Sequence, residues 1–350
     1  SVDYEVSTDE AFVNISHNGE VSTDADKDYT VKVDIQNLDA GTEYYYRFKS
    51  HGSVSSVGMM KTLPTGSVDQ VKMAVFSCAN YTNGHFNAYD MGSKLDGLDV
   101  TLHLGDYIYE YGMFEADGTT PAYATQNAET LGRVLAEDNN TECLTVDDYR
   151  RRYALYRTDA GLQAVHAAAP MIVVWDDHEV TNDSYKDGAE NHNDGEGVYA
   201  DRVNDALQAY FEWLPIRPIE PTKEIFRTFD FGNLVSLNML ETRVFGRDEQ
   251  LSYGDFFTVS GEFLAEDFTA AVGDQDRTML GQAQLQWLQG EFSASSATWQ
   301  VLGQQVLMGR MNLPAELLTM INMLDNPAAF GTTQEAVNAQ IQVLLAEYAT

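Results

Sequence analysis

The sequence predicts a layered α/β domain that follows a small β-domain at the amino terminus. From about residue 68 onward, short apolar runs typical of buried strands alternate with longer stretches of helical periodicity. Before that point, short strands separated by turns dominate the chain. Several apolar runs also end in charged or polar residues, and open sheets covered by helices bind ligands beyond the carboxyl ends of their strands. We therefore expect one shared functional site at a sheet edge.

Residues 1–64 are predicted to form short β-strands. Residues 29–35 carry apolar side chains at alternate positions, and residues 43–49 follow a turn at residues 38–42. Tyr44, close behind that turn, resembles the corner tyrosine of immunoglobulin-like sandwiches. About five strands are recognisable where such a sandwich needs roughly seven. The sequence therefore predicts a partial immunoglobulin/fibronectin-III-like β-sandwich.

Residues 63–67, Leu-Pro-Thr-Gly-Ser, are predicted to form a linker, and residues 68–350 the α/β domain. Pro215 is expected to close one of the helices of this domain. The predicted strands lie at residues 71–76, 101–104, 171–175, 234–240 and 301–305, and the predicted helices at residues 147–166, 198–214, 282–292 and 335–348.

The composition bounds the classes of partner. The 350 residues include 54 acidic and 21 basic ones, which gives a formal net charge of −33. Because nucleic acids and anionic membranes are held mainly by lysine and arginine, this charge argues against direct binding to either. A solvated acidic surface, of the kind found in marine or salt-adapted proteins, explains the charge better than a specific acidic patch.

The cysteine content and the hydropathy exclude two further classes. Two cysteines cannot stabilise a chain of this length through a disulfide framework, and nothing in the spacing of Cys78 and Cys143 argues that they pair. No apolar run approaches the roughly 18 residues needed to cross a bilayer, so a membrane span is not expected. No signal peptide precedes Ser1, and the chain lacks an initiating methionine, so missing targeting information is uninformative.

The most informative motif is the decapeptide Thr-Leu-His-Leu-Gly-Asp-Tyr-Ile-Tyr-Glu at residues 101–110. An apolar strand runs into Gly105 and is followed by Asp106 and then by Tyr109. A carboxylate at the mouth of a buried strand can bridge two cations, and a phenolate is a hard ligand suited to ferric iron. For Asp106 alone, a helix N-cap is a competing interpretation. Matching acids at another strand end favour the metal interpretation.

Residues 176–179, Asp-Asp-His-Glu, form the densest group of potential ligands and directly follow an apolar run. Four adjacent ionisable groups at a strand end would repel one another and lose solvation unless a cation offset them. Asp177 and His178 are therefore candidate site residues. Asn182 offers a neutral oxygen ligand or a hydrogen-bond donor to a phosphoryl oxygen. The alternative interpretation is a solvated acidic loop with one structural histidine.

Cys78, His178 and Arg243 also carry candidate functional side chains at strand ends. Cys78 follows an apolar run and is a candidate metal ligand, although a lone cysteine is most often a small buried hydrophobe. As a nucleophile it would need a histidine base, which strand-end logic places at His178. Arg243, after the run at residues 234–240, is the arginine best placed to hold a phosphoryl oxygen. The helical arginines at residues 150–152 are expected to pair with neighbouring acids.

Taken together, these motifs resemble those of the PhoD-like alkaline phosphatase and phosphodiesterase family. The resemblance extends over roughly residues 1–350, and its motifs Gly-Asp-Tyr-Ile-Tyr-Glu and Trp-Asp-Asp-His-Glu are specific. The segments that carry it are residues 76–78, 103–110, 149–157, 175–179 with Asn182, and 241–243.

The resemblance implies a four-layer α/β/β/α calcineurin-like metallophosphatase sandwich. It implies hydrolysis of phosphate monoesters and diesters, with small-molecule phosphate esters as partners, in the extracellular space or the periplasm. Ferric iron (Fe3+) and calcium (Ca2+) are the implied cofactors. By motif match, the iron ligands would be Cys78, Asp106 and Tyr109, with Asp106 bridging, while Asp177 and Asn182 would help to hold calcium or substrate.

The catalytic residues expected on the same basis are Asn182, His178 and Arg243. One feature departs from the family, which ends its site with a Gly-Asp-x-His type motif on a late strand. This sequence has no histidine after His192, and the strand predicted at residues 301–305 carries no such ligands. We therefore expect a C-terminally incomplete fragment that binds metal weakly and hydrolyses little on its own.

Two other functions are open at this stage. One is a non-catalytic, calcium-stabilised extracellular binding protein that uses its acidic loops, although such a module has no need of a thiol, a phenol and a carboxylate at strand tips. The other is a cysteine-nucleophile hydrolase, which predicts activity that is lost on thiol alkylation and resists chelators. The sequence does not determine the oligomeric state.

Overall fold

The computed structural model describes residues 1–114, 118–217, 223–258, 262–309, 314–325 and 327–348. The chain divides into two compact units. Unit 1 comprises Ser1–Glu249 and Met279–Gln305, and unit 2 comprises Gln250–Thr278 and Val306–Thr350. The predicted boundary between residues 64 and 68 lies inside unit 1.

The chain begins with a five-stranded antiparallel sheet, in the order β2-β1-β3-β4 with β5 also paired to β3. Tyr44 on β3 is 3% exposed, and its hydroxyl accepts a hydrogen bond from the backbone N–H of Asp39 at 3.0 Å. That is the contact expected of a corner tyrosine. The five strands belong to one sheet, so the predicted two-sheet sandwich stays a prediction. The strands are β1 (Val2–Ser7), β2 (Ile15–Val21), β3 (Glu43–Ser50), β4 (Ser53–Val54) and β5 (Gly58–Lys61).

Replacing Tyr44 by phenylalanine is expected to lower the free energy of unfolding by about 1 kcal/mol, because the substitution removes one hydrogen bond and leaves the ring in place. Urea denaturation measures the change. The neighbouring Tyr45→Phe is the matched control, since the structure describes no hydrogen bond to the Tyr45 hydroxyl, and it should change stability by less than about 0.5 kcal/mol. Equal stability of the two variants would contradict the corner role of Tyr44.

The strand predicted at residues 29–35 is wrong. Val31, Val33 and Ile35 are less exposed than the polar residues between them, so the alternation is real, but no strand ladder is described there. The segment is held instead by side chains: the Lys32 ammonium donates to the carbonyl oxygens of residues 211 and 216. Alternation predicts which side chains face inward, whereas a strand also requires a paired backbone.

The α/β part of unit 1 is built around a three-stranded parallel sheet in the order β6-β7-β8. All four residues of the central strand β7 are buried, as expected where a parallel strand is covered on both faces. The elements after residue 70 are β6 (Met73–Phe76), α1 (Asn87–Gly92), β7 (Val100–His103), α2 (Ala128–Leu131), α3 (Val146–Tyr156), α4 (Ala160–Ala168), β8 (Met171–Val173), α5 (Tyr199–Trp213), β9 (Arg227–Phe231), β10 (Val235–Met239), α6 (Ala265–Val272), α7 (Gly281–Ala294), β11 (Trp299–Gly303), α8 (Ala315–Asp325) and α9 (Gln334–Tyr348).

A second, mixed sheet has the order β11-β10-β9, with β10 parallel to β11 and antiparallel to β9. One apolar core joins it to the parallel sheet, because Leu102 and Val173 belong to the same buried cluster as Leu237 and Met239. The strands and helices predicted after residue 68 are confirmed, with ends shifted by a few residues, except for the helix at residues 147–166. The predicted four-layer arrangement stays a prediction.

The single helix predicted at residues 147–166 is wrong, because the structure has two helices there, α3 and α4. Asp159 is extended, and its side chain accepts a hydrogen bond from the backbone N–H of Leu162 at 3.1 Å. This is the geometry of a helix N-cap, so a new helix begins directly after Asp159. The apolar spacing continued through the break and concealed it.

Unit 2 contains α6, α8 and α9. Its described aromatic contacts centre on Phe268, whose ring lies 5.2 Å from the rings of Tyr253 and Phe256 and 5.5 Å from that of Phe263. Over the described ranges of the chain, no helix combines the length and the apolar character needed to cross a bilayer.

Candidate metal centre

The turns that follow the three parallel strands lie side by side, as expected for strands that end at one edge of a sheet. The backbone N–H of Cys78 donates to the carbonyl of Gly105 at 3.2 Å, and that of Ala79 donates to the carbonyl of Asp106 at 2.8 Å. The β8 strand is joined to its neighbour by a bond from the N–H of Val174 to the carbonyl of His103. The predicted convergence of these strand ends is therefore present.

Asp106, Asp177 and His178 form a buried cluster in which one ligand atom from each lies within 4.8 Å of the others. Asp106 Oδ1 is a buried atom without a hydrogen-bond partner among the described residues. Burial raises the pKa of Asp106 to about 7; His178 opposes the shift, and the neighbouring carboxylates of Asp176 and Asp177 reinforce it. Two buried carboxylates and one imidazole with an unpartnered oxygen are a donor set that fits a cation.

His178 is held between a carboxylate and an aromatic ring. Its Nδ1 lies 2.7 Å from Oε2 of the fully buried Glu110, and its ring stacks on Tyr109 at a centroid distance of 4.2 Å. Burial by itself lowers the pKa of His178, but the carboxylates of Glu110, Asp177 and Asp106 outweigh it and raise this pKa to about 10. A carboxylate on one ring nitrogen fixes the orientation of the imidazole and leaves the other nitrogen for a ligand.

Tyr109 and Cys78 both interact with Asp106. The Tyr109 hydroxyl donates to Asp106 Oδ2 at 3.2 Å. Cys78 is exposed and lies outside the three-residue cluster, but its thiol interacts with both Asp106 and Tyr109. Partial desolvation and the Asp106 charge raise the pKa of Cys78, which disfavours the thiolate that a cysteine nucleophile needs. Without a cation, the neutral thiol of Cys78 is a poor nucleophile. Cys78 is therefore better suited to the role of a ligand, which loses its proton when a cation binds.

Arg243 reaches the cluster from the turn after β10. Its Nε donates to Asp176 Oδ1 at 2.5 Å, and its terminal nitrogens lie 3.5 Å from Asp177 Oδ1 and 3.4 Å from Asp183 Oδ1. Asn182 lies next to this group, but its amide nitrogen donates to Glu190 Oε2 at 2.9 Å. Arg243 thus provides a cation beside Asp177, whereas the Asn182 side chain is engaged with a neighbouring loop residue.

Two of the four adjacent ionisable residues at 176–179, Asp176 and Glu179, lie outside the cluster of candidate ligands. Asp176 pairs with Arg243, and the buried carboxylate of Glu179 accepts backbone hydrogen bonds from Asp106, Tyr107 and Asp176. Sequence adjacency could not separate these roles, because successive residues of a turn point in different directions. Only the middle pair, residues 177 and 178, belongs to the cluster.

Glu110 and Arg152 have roles that the sequence did not predict. Besides its contact with His178, Glu110 accepts hydrogen bonds from Thr181, the backbone of Asn182 and the side chain of Asn191.

Arg152 is the second of these residues. The expectation that arginines 150–152 pair with neighbouring acids holds for the first two but is wrong for Arg152. The only sequence signal of this different role was that Arg152 stands at an apolar position of the helix, where a buried charged group needs hydrogen-bond partners. The described partners of Arg152 are the carbonyls of residues 109, 111, 139 and 141 and the side chain of residue 139.

The parallel strands and the acidic, histidine-containing cluster beyond their carboxyl ends define the class: an α/β protein with a candidate metal centre at a sheet edge. Residues 73–343 match the PhoD-like phosphatase family, and residues 1–64 match the N-terminal domain of PhoD-like phosphatases. The chain therefore belongs to the PhoD-like phosphatase family.

The relatives agree with this membership. Over 317 residues the chain is 37% identical to alkaline phosphatase D of Bacillus subtilis (strain 168), covering 89% of this chain and 50% of that protein. A solved structure of PhoD is similar with a TM-score of 0.72 and 34% identity, over 89% of this chain and 56% of that one. The predicted mixed α/β fold is thereby confirmed, and the chain spans about half the length of the relatives it matches.

Proposed function

We propose that this protein is a metal-dependent phosphoric ester hydrolase that acts on phosphate monoesters and diesters. The observation that carries the proposal is the unpartnered oxygen of Asp106, buried beside Asp177 and His178. A buried carboxylate oxygen without a donor is unfavourable, and a bound cation removes that penalty. Membership of a phosphatase family supports phosphate esters as the substrate class.

The cations we propose are ferric iron and calcium, as the family resemblance implies. Cys78, Asp106 and Tyr109 would hold iron, with Asp106 bridging to a calcium ion that Asp177 and Asn182 help to bind. When bound, these cations would neutralise charge on the phosphoryl oxygens and act as Lewis acids. The mixture of thiol, phenol and carboxylate around Asp106 supports a site for more than a single hard cation.

The protein's own groups have separate tasks in this proposal. Arg243 holds a phosphoryl oxygen through its guanidinium N–H groups, which its ion pairs with Asp176 and Asp177 keep at the site. His178, whose ring Glu110 orients, would not ligate a cation in this proposal; its other ring nitrogen would donate a proton to the oxygen of the leaving group. The Asn182 side-chain nitrogen donates to Glu190, so Oδ1 is the atom of Asn182 that would ligate a cation.

The proposal includes the organisation and the location of the protein. Residues 1–64 would form the N-terminal β-domain and residues 68–350 the metallophosphatase domain. An extracellular or periplasmic location follows from the resemblance and would bring the site into contact with small-molecule phosphate esters.

Removal of metal is the direct test of this function. We expect the purified chain to hydrolyse p-nitrophenyl phosphate slowly and bis(p-nitrophenyl) phosphate as well, and to lose at least about 100-fold of either rate after treatment with EDTA, since a chelator removes the charge that neutralises the phosphoryl oxygens. Release of p-nitrophenol is followed by its absorbance.

Adding back Fe3+ and Ca2+ after the chelator is removed should restore the rate, which controls for irreversible damage. Turnover that resists EDTA but is lost on alkylation with iodoacetamide would instead support the cysteine-nucleophile hydrolase. A protein that binds calcium and hydrolyses neither ester would support the non-catalytic binding protein.

A further inference from the structure

Glu179 lies beneath the cluster and makes an unusual set of contacts. Its side chain is fully buried. One carboxylate oxygen, Oε2, accepts the backbone N–H of Asp106 at 3.0 Å and that of Asp176 at 2.8 Å, while Oε1 accepts the backbone N–H of Tyr107 at 2.5 Å. One carboxylate therefore joins the turn that follows β7 to the turn that follows β8.

The two turns need such a connection. Asp106 has φ +52° and the preceding Gly105 has φ +100°, both in the left-handed region that a side chain normally disfavours. A backbone held in this region persists only when its surroundings determine it. The last bond between β7 and the β8 segment runs from the N–H of Val174 to the carbonyl of His103, so the N–H groups of Asp106, Tyr107 and Asp176 depend on another acceptor.

The cluster itself acts against this arrangement. Asp106 and Asp177 are buried acids whose ligand atoms lie within 4.8 Å of each other, so their carboxylates repel one another. Unless the turns are held together, the two carboxylates lower their electrostatic repulsion by moving apart. Cation affinity depends on ligand distances that are fixed to within roughly 0.2 Å, so a small separation of the turns reduces it.

We propose that Glu179 is a positioning residue that sets the cation affinity of the site without itself binding the cation. By accepting three N–H groups from two turns, it fixes the distance between Asp106 and the Asp177–His178 pair. The inference rests on the proposed function only in requiring that the cluster binds a cation, and it does not depend on which ester is hydrolysed.

Glu241 provides a matched control within the same unit. It is also fully buried and also accepts three backbone N–H groups, from Arg243 at 3.0 Å, Val244 at 2.7 Å and Phe245 at 2.9 Å. These three backbone groups belong to its own turn, and Oε1 also accepts the indole N–H of Trp175 at 2.7 Å. Glu241 therefore makes no backbone connection between the turns that carry Asp106 and Asp177. A glutamine at either position keeps the shape of the side chain but replaces one acceptor oxygen by an N–H donor.

The first measurement is titration of the metal-free chain with Mn2+, a cation that accepts carboxylate oxygen ligands, followed by calorimetry. We expect Glu179→Gln to weaken Mn2+ binding by about 10- to 100-fold, the range found when groups that orient metal ligands are removed. Glu241→Gln should stay within about threefold of the unchanged chain.

The second measurement is hydrogen exchange of backbone amides in the metal-free proteins, detected by mass spectrometry of peptides. In Glu179→Gln, the peptides that contain Asp106, Tyr107 and Asp176 should exchange at least about tenfold faster. In Glu241→Gln, the acceleration should be confined to residues 243–245. This readout needs no cation, so it tests the positioning of the turns by itself.

Equal Mn2+ affinity in Glu179→Gln and the unchanged chain, or exchange that accelerates equally throughout both variants, would overturn the inference. So would an unchanged chain that binds no Mn2+ at all. A further outcome is that Glu179→Gln loses Mn2+ affinity as expected, while the unchanged chain loaded with Fe3+ and Ca2+ hydrolyses neither phosphate ester. This outcome would support the positioning role and refute the proposed function.

Discussion

Turnover of p-nitrophenyl phosphate is expected to fall by on the order of 1,000-fold when Asp106 is replaced by asparagine, because the substitution removes the charge that a bridging ligand supplies. Asparagine tolerates the left-handed backbone at this position, with φ near +52°, better than other side chains apart from glycine. The turn should therefore keep its conformation while cation binding is lost. The rate and the bound metal are measured on the same preparations.

The stability of the metal-free protein should change in the opposite direction. The pKa of Asp106 is raised by burial and by the carboxylates of Asp176 and Asp177, so a neutral side chain at this position relieves an unfavourable charge. We expect the free energy of unfolding of metal-free Asp106→Asn to equal or exceed that of the unchanged chain. A merely structural aspartate would give a loss of stability instead.

Asp183→Asn is the matched control for this prediction. Asp183 also has a left-handed backbone, with φ +53°, and pairs with Arg243, but it lies outside the three-residue cluster. Its replacement is expected to reduce turnover by less than about tenfold, since its side chain is nearly half exposed and its ion pair is screened by solvent. Similar losses at both positions would show that turnover depends on negative charge near the site, and not on ligation of a cation by Asp106.

The largest loss of stability is expected for Gly105→Ala. A Cβ atom at residue 105 would lie 2.2 Å from the backbone nitrogen of Asp176 and 2.5 Å from its Cβ, so one of the two turns must move. The residue also has φ +100°, which alanine disfavours. We expect a loss of about 3 kcal/mol or more in the free energy of unfolding, measured by urea denaturation. Cation binding should be lost with it, because the same two turns carry Asp106 and Asp177.

Gly195→Ala separates the two causes. Gly195 has the same φ of +100°, but nothing lies within 4 Å of the position that its Cβ would occupy. This variant is therefore expected to lose only about 1 kcal/mol, from the backbone conformation, and to keep its cation affinity. If both alanine variants lost the same amount, close packing of the two turns would not be the reason for glycine at residue 105.

Several parts of the site were accessible from the sequence because they depend on strand order alone. Asp106, Asp177 and His178 follow apolar runs, and parallel neighbouring strands place their carboxyl ends at one edge. Tyr109 followed from its position three residues after Asp106. The corner contact of Tyr44 was equally local, since its partner lies five residues upstream.

Other features of the fold and the site required the tertiary structure, because they depend on which segments of the chain contact one another. The apolar alternation at residues 29–35 is present, yet none of the strands that the structure describes pairs with it. Arg152 stands beside two arginines that pair with neighbouring acids, but burial directs its own guanidinium to backbone carbonyls. The carbonyls that it reaches lie 11 to 43 residues away along the chain and leave no local sequence pattern.

The amino-acid sequence by itself determined the alternation of strands and helices, the strand ends at which chemistry-bearing side chains occur, and the family to which the chain belongs. Only the tertiary structure decided which acids near the site belong to the candidate metal cluster and which hold the backbone. Asp177 and Glu179 are two residues apart in one motif, but the first lies in the cluster and the second joins two turns. Side-chain direction in a turn is set by the φ and ψ angles and by long-range hydrogen bonds, and residue type and spacing do not specify these.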